Sequence, residues 1–220
     1  MGAKCIALLG AESTGKSRLG HELTNALLAQ GLRATAVPEV LREWCTRQGR
    51  APRPEEQLAI ARDQEDRVDA ATANADIVIA DTSALMVAIY AGMLFPDGAL
   101  YRFAIERQQR YDATLVTGLD LPWMPDGLQR DATASREDVD SLVRKLLQQA
   151  GIPFQVVYGQ GPQRLRGALR ALEAAGVLAA DGAGRTLEEG ARGPWVWACE
   201  KCSDPECEHG LFTRLPGGRG

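Results

Sequence analysis

The chain has 220 residues, 45% hydrophobic and 25% charged, enough apolar mass for one α/β core with a small appendage. Its net charge of −4 and pI of about 5.3 argue against a nucleic-acid partner, because phosphate-backbone binding wants a positive surface. No run of like charges marks a membrane anchor, and no stretch approaches the roughly 20 apolar residues that span a bilayer. The apolar run Cys5 to Leu9 is too short for the core of a signal peptide, so a cytoplasmic location without membrane contact is expected.

Lys4 to Leu9 is predicted as a short buried strand that ends in a glycine loop. Lys16 to Gln30 follows as a helix with Leu19, Leu23, Ala26 and Leu27 on one face, stopped by Gly31. Arg33 to Val37 predicts a second strand, closed by Pro38, and Glu39 to Gln48 a helix. After the break Arg50 to Pro54, the stretch Glu55 to Ala75 predicts a long helix. Ile77 to Ala80 is a compact β-branched strand with Asp81 at its end. Helices are expected over Ala84 to Leu94 and Ala99 to Arg110, then a strand over Asp112 to Thr117. Leu121 to Asp131 predicts a loop. Ser135, with Asp138 three positions on, opens a helix striped by Val139, Leu142, Val143, Leu146 and Leu147. Phe154 to Tyr158 predicts the last strand and Pro162 to Ala175 the last helix.

Strands alternating with helices imply a three-layer α/β sandwich: a five-stranded, mainly parallel sheet with helices on both faces. Ligands should then gather at the carboxyl ends of the strands. Residues 1–175 form this predicted domain, 176–194 a linker rich in Gly, Ala and Glu, and 195–215 a small Cys/His-containing appendage.

The sharpest motif is Gly10-x4-Gly15-Lys16-Ser17, a complete P-loop pattern with a strand before it and a helix after it. Gly10 and Gly15 let the backbone approach phosphate oxygens. The amides around Glu12, Ser13 and Thr14 can form an anion nest at the start of the following helix. Lys16 is placed to reach the β- and γ-phosphates of ATP, and the Ser17 hydroxyl to ligate magnesium.

Asp81, an acid at the end of an apolar strand, reads as a second magnesium or substrate residue; the competing reading is a plain helix cap. Glu39, directly after Pro38, is placed to accept a proton from an attacking hydroxyl, or else merely suits the first turn of a helix. In the loop Asp120 to Asp131, Trp123 offers a flat face for stacking a ring, against the alternative of plugging a core edge. Arg130 and Arg136 are two candidates for crossing to the phosphates and stabilising transition-state charge.

Gly10-Ala-Glu-Ser-Thr-Gly-Lys-Ser17, Pro38-Glu39, Arg42-Glu43, Asp81-Thr82, Tyr111-Asp112 and Asp120-Leu-Pro-Trp-Met-Pro-Asp-Gly-Leu128 together resemble the ribosylnicotinamide kinase domain of the NadR type, grouped among AAA-like ATPase domains. The likeness spans residues 4 to 175. It implies a P-loop kinase core and transfer of the ATP γ-phosphate to the 5′-hydroxyl of nicotinamide riboside, giving nicotinamide mononucleotide in NAD salvage. It further implies that Trp123 stacks the nicotinamide ring and that Asp126 lies near the substrate. Glu39 or Asp81 would bind the ribose or take its proton, and the Gly159 to Pro162 loop would border adenine. The chain departs from the family in two respects. With only His21 and His209, it lacks the His-x-Gly-His signature of an adenylyltransferase, and Gln129 intervenes before Arg130.

Cys199, Cys202, Cys207 and His209 offer three thiols and an imidazole, a set suited to structural tetrahedral zinc or, alternatively, to reduced cysteines on a tail. Against the kinase stand two other readings, a nucleotide-dependent ATPase or switch and a kinase fold kept as a binding module. A base-reading Asn-Lys-x-Asp motif, as a GTPase would need, is missing; Thr117-Gly-Leu-Asp120 lacks the lysine.

Overall fold

The first strand, β1 (Lys4–Leu9), explains the layering of the molecule. From Ile6 on it is apolar on both sides: Ile6 and Leu8 enter one core, Ala7 and Leu9 the other. A strand buried on both faces belongs in the middle of a helix-covered sheet. The computed structural model describes residues 2–94, 98–122 and 135–179, and there β1 is indeed central. It is flanked by β3 (Ile77–Asp81) and β4 (Ala113–Thr117), with β2 (Ala34–Val37) and β5 (Gln155–Val157) at the two edges. All four pairings are parallel, giving the order β2-β3-β1-β4-β5. The chain steps one way from β1 and then the other, so its switch point, where ligands collect in such sheets, lies at the carboxyl end of β1.

One face is covered by α1 (Lys16–Ala29) and α7 (Gly161–Ala174), whose Leu19, Leu23, Leu27, Ala168 and Leu172 meet Ile6, Leu8, Ile79 and Leu115. The other face carries α2 (Val40–Gln48), α3 (Pro54–Ala71), α4 (Ala84–Leu94), α5 (Gly98–Gln108) and α6 (Arg136–Gln149). Within this layer α4 is apolar all round, and Ala84 through Ile89 are no more than 1% exposed, as expected of a helix walled in by its neighbours. Among the described residues no helix is long and apolar enough to cross a membrane.

The expected element boundaries shift at a few points. Helix α3 ends at Ala71 rather than Ala75, because residues 72–74 turn and Asp76 turns back to bond the Arg33 amide and guanidinium. Pro54, expected as part of a break, is the first residue of that helix, where its missing N–H costs nothing. The predicted capping box is present: the Ser135 hydroxyl accepts from the Asp138 amide at 3.1 Å and the Asp138 carboxylate accepts from Ser135 N–H at 3.0 Å. The first compact unit continues past Ala175. Gly176 takes a left-handed turn (φ 71°), and Val177 and Leu178 fold back onto the α7 side of the core. The first compact unit accordingly runs to Ala179.

Candidate functional site

The glycine loop leaves β1 at Gly10, whose φ of +140° suits glycine alone. A Cβ there would collide with the Thr117 hydroxyl and stand 3.0 Å from the Thr117 carbonyl oxygen. That close approach makes room for a polar lock: Thr117 Oγ1 donates to Leu9 O at 3.1 Å and bonds the Thr14 hydroxyl at 2.6 Å, while Thr14 Oγ1 lies 2.8 Å from Ala11 O. Gly15 sits in the left-handed region (φ 77°) as the N-cap of α1. No side chain caps this helix, and no acid occupies its first turn. Its positive dipole end suits an outside anion. Lys16 is only 6% exposed, with Nζ on the carbonyls of Gly10 at 2.9 Å and Ala11 at 2.8 Å. Glu12, Ser13 and Ser17 are half-buried around the same loop.

Two further residues, from the loop after β4 and from α7, buttress the phosphate loop. Arg164 of α7 is 3% exposed and donates to Thr14 O at 2.8 Å and Gly159 O at 3.0 Å. Burial pulls its guanidinium below the usual arginine value, against the opposing pull of Asp120. Asp120 in turn accepts from Gly159 N–H at 2.6 Å. The loops after β1, β4 and β5 are thus knotted together by one arginine and one aspartate.

Asp81 and Glu39 end β3 and follow β2, and both are buried, at 8% and 5% exposure. Neither is spent on capping. Ser83 accepts the Leu85 N–H in the first turn of α4, and Glu39 makes no side-chain cap bond to α2. Asp81 Oδ1 is buried without a hydrogen-bond partner among the described residues. Glu39 Oε2 stands 3.0 Å from Arg42 Nη2. The residue after Asp81 is strained: Thr82, β-branched, holds a φ of 72°.

A cavity of about 270 Å³ joins these parts. Gly20, Ala36, Val37, Pro38 and Ile79 form an apolar floor, and Ser17, His21, Glu39, Arg42, Glu43 and Asp81 contribute polar groups. The first turns of helix α1 thus share one cavity with three carboxylates, Glu39, Glu43 and Asp81. Ser17 and Asp81 are hard oxygen donors, and a buried carboxylate oxygen with no protein partner is what a magnesium ion bridged to phosphates requires.

Of the residues singled out in the sequence, Gly10, Gly15, Lys16, Ser17, Glu39 and Asp81 come together here. Arg136 lies at the first position of α6, where both terminal nitrogens hold the Leu121 carbonyl, at 3.2 and 3.1 Å. Trp123, Asp126, Arg130 and the Cys199, Cys202, Cys207 and His209 set lie outside the described residues. Thr117, His21, Gln64, Glu65 and Arg164 were not legible in the sequence. Each sits in an ordinary helix or strand pattern, and no local motif sets it apart.

A family model described as an AAA domain matches residues 5–164. Among solved structures, the chain is similar to NadR protein in complex with NAD and AMP-PNP, at 18% identity and a TM-score of 0.62, covering 81% of this chain and 51% of that one. It is also similar to NadR protein in complex with NR, at 19% identity and a TM-score of 0.64, covering 81% and 52%. A third likeness is to deoxyadenosine kinase from M. mycoides, at 15% identity and a TM-score of 0.52, covering 77% and 99%. The chain spans about half the length of the NadR chains it matches. No curated protein sequence matches it significantly. With a family model covering most of its length, the chain belongs to the AAA domain family, and it shares its fold with NadR.

Proposed function

We propose that the chain is an ATP- and magnesium-dependent kinase that phosphorylates the hydroxyl of a nucleoside-like acceptor, with nicotinamide riboside as the foremost candidate. The observation that carries this reading is the cavity that runs from Ser17, beside the phosphate loop, to Glu39 and Asp81. A switch protein needs no acceptor pocket beside its phosphate loop; a kinase does. NadR bound to NR and deoxyadenosine kinase share the fold, which supports a nucleoside acceptor over other alcohols.

The roles follow from position. The α1 amides and Lys16 would cradle the phosphates, with the Lys16 ammonium exchanging its loop carbonyls for phosphate oxygens. Ser17 and Asp81 would hold magnesium, which when bound offsets charge on the transferring phosphoryl group. Glu39, oriented by Arg42, would accept the proton of the acceptor hydroxyl. That hydroxyl oxygen forms a bond to the γ-phosphorus, the β–γ bridging oxygen leaves with ADP, and the proton rests on Glu39. The apolar floor of Ala36, Val37, Pro38 and Ile79 would exclude water from the acceptor side.

The test is ADP release from purified protein given ATP, Mg²⁺ and a panel of nucleosides. Turnover dependent on nicotinamide riboside is the expected result. Turnover indifferent to every small acceptor would favour the switch instead.

A further inference from the structure

No residue of helix α3 lines the cavity, yet two consecutive buried side chains on it reach the backbone beside Glu39 and after Asp81. Gln64 is fully buried. Its Oε1 accepts from Val40 N–H at 2.9 Å, and its Nε2 lies 3.4 Å from Pro38 O. These two contacts straddle Glu39. Glu65 is 1% exposed, and its Oε1 accepts from Ala84 N–H at 2.7 Å, closing the turn that follows Asp81. Its Oε2 is held by Arg107 Nε and the Tyr111 hydroxyl, both at 3.2 Å.

The bonds from Val40 N–H and Ala84 N–H each satisfy a backbone donor that a helix start leaves open. Ordinarily the residue at the cap itself does this. Here Glu39 is the cap residue of α2 but makes no side-chain cap bond, and Asp81 stands two residues before Ser83, which precedes α4; Gln64 and Glu65 supply acceptors for the Val40 and Ala84 N–H groups from a neighbouring helix. The same arrangement accounts for Thr82. A β-branched residue at φ 72° persists only where the surroundings over-determine it. The Thr82 N–H bonds Leu8 O at 3.1 Å, Ser83 Oγ bonds Gln108 Oε1 at 2.5 Å, and Glu65 clamps Ala84.

We infer that Gln64 and Glu65 are a positioning pair on one helix, clamping the backbone on either side of Glu39 and just after Asp81 and so setting the two carboxylates at a constant separation across the acceptor cavity. The inference rests on the kinase reading, in which Glu39 faces the acceptor hydroxyl and Asp81 the metal. Gln64 acts through Glu39 and Glu65 acts through Asp81, so their losses should be separable.

The experiment measures steady-state kinetics with the best acceptor, apo-protein melting, and calorimetric binding of a non-hydrolysable ATP analogue with Mg²⁺ and with EDTA. Gln64→Met, close in volume but without the amide, should lower kcat about 10- to 100-fold while KM for ATP stays within about twofold. Glu65→Ala should lose the Mg²⁺-dependent part of analogue affinity and keep the EDTA part. Glu65→Gln, which retains an acceptor for Ala84 N–H, should restore it. If Gln64→Met and Glu65→Ala lower only the melting temperature, or if Glu65→Gln is as defective as Glu65→Ala, the pair is merely structural and the inference falls. If Glu65→Ala does not fold, Gln64→Met and Glu65→Gln decide it. Asp81→Asn and Lys16→Ala are run alongside: should these leave analogue binding intact, the kinase reading itself fails, whatever the pair does.

Discussion

Arg164 and Thr14 lie 150 positions apart in the chain, yet Arg164 Nη2 meets the Thr14 carbonyl at 2.8 Å. The contact spans the sheet switch point and ties the last helix to the phosphate loop. Replacing Arg164 by Met leaves the Thr14 and Gly159 carbonyls without their donor and removes a buried charge from the Asp120 carboxylate. A loss of about 2–4 kcal/mol in stability is expected. KM for ATP should rise more than KM for the acceptor, because the bond holds the phosphate loop. Denaturant unfolding and two-substrate kinetics check both; an unchanged ATP KM would contradict the link.

Lys16→Ala should abolish turnover while keeping the fold, since the lysine serves its own loop carbonyls and the phosphates, not the core. Circular dichroism and ADP release together check this. A rate within about tenfold of wild type would be too high for loss of the phosphate-binding cation.

Gly10→Ala should destabilise the protein by more than about 1 kcal/mol, as expected for a Cβ at a positive φ. The double variant Gly10→Ala/Thr117→Ala should recover only part of this. It removes the Thr117 hydroxyl but leaves the backbone carbonyl at 3.0 Å from the new Cβ, and the φ of +140° remains. Melting temperatures of the two variants and of Thr117→Ala report the coupling.

Glu39→Gln should cut kcat by about 10²- to 10⁴-fold, the usual worth of a general base. Affinity for ATP should hold if Glu39 acts on the acceptor, as proposed, rather than on the nucleotide. Asp81→Asn should instead raise the Mg²⁺ concentration needed for half-maximal rate. Kinetics against acceptor and against Mg²⁺ separate the two carboxylates; equal effects on both axes would mean that the roles are shared.

Burial raises the Glu65 carboxyl above its ordinary 4.5, against hydrogen bonds from Ala84 N–H, Arg107 and Tyr111. A raised carboxyl pKa means that folding favours the protonated form. Its contribution to stability is therefore complete below the unfolded value and is lost as pH rises through the folded value. Glu65→Gln carries no such titration. The stability of wild type relative to Glu65→Gln should decline as pH rises from about 4 to 7. Melting curves over that range check it, and a difference that grows with pH would reverse the assignment.

The sequence by itself determined the phosphate loop, the alternation of strands and helices, and the position of Glu39 and Asp81 at strand ends. These are local signals. A P-loop is written in contiguous residues, a buried strand shows as an apolar run, and a carboxylate ending such a run is placed by the strand itself. The Ser135–Asp138 capping box and the Leu19, Leu23 and Leu27 stripe were legible for the same reason, because their partners lie within a turn or two of helix.

Only the tertiary structure decided which side chains support that site. Thr117, Gln64, Glu65 and Arg164 act on backbone groups far away in sequence: Thr117 lies 108 positions from the Leu9 carbonyl it bonds, and Gln64 lies 24 from Val40. A buried polar residue in a helix looks, in sequence, like any solvated glutamine or arginine. What distinguishes it is the orphan N–H or carbonyl that folding brings beside it, and that pairing exists only once the sheet has assembled. The tertiary structure also showed what serves the helix starts beside Glu39 and Asp81: Gln64 bonds the Val40 N–H, Glu65 the Ala84 N–H and Ser83 the Leu85 N–H.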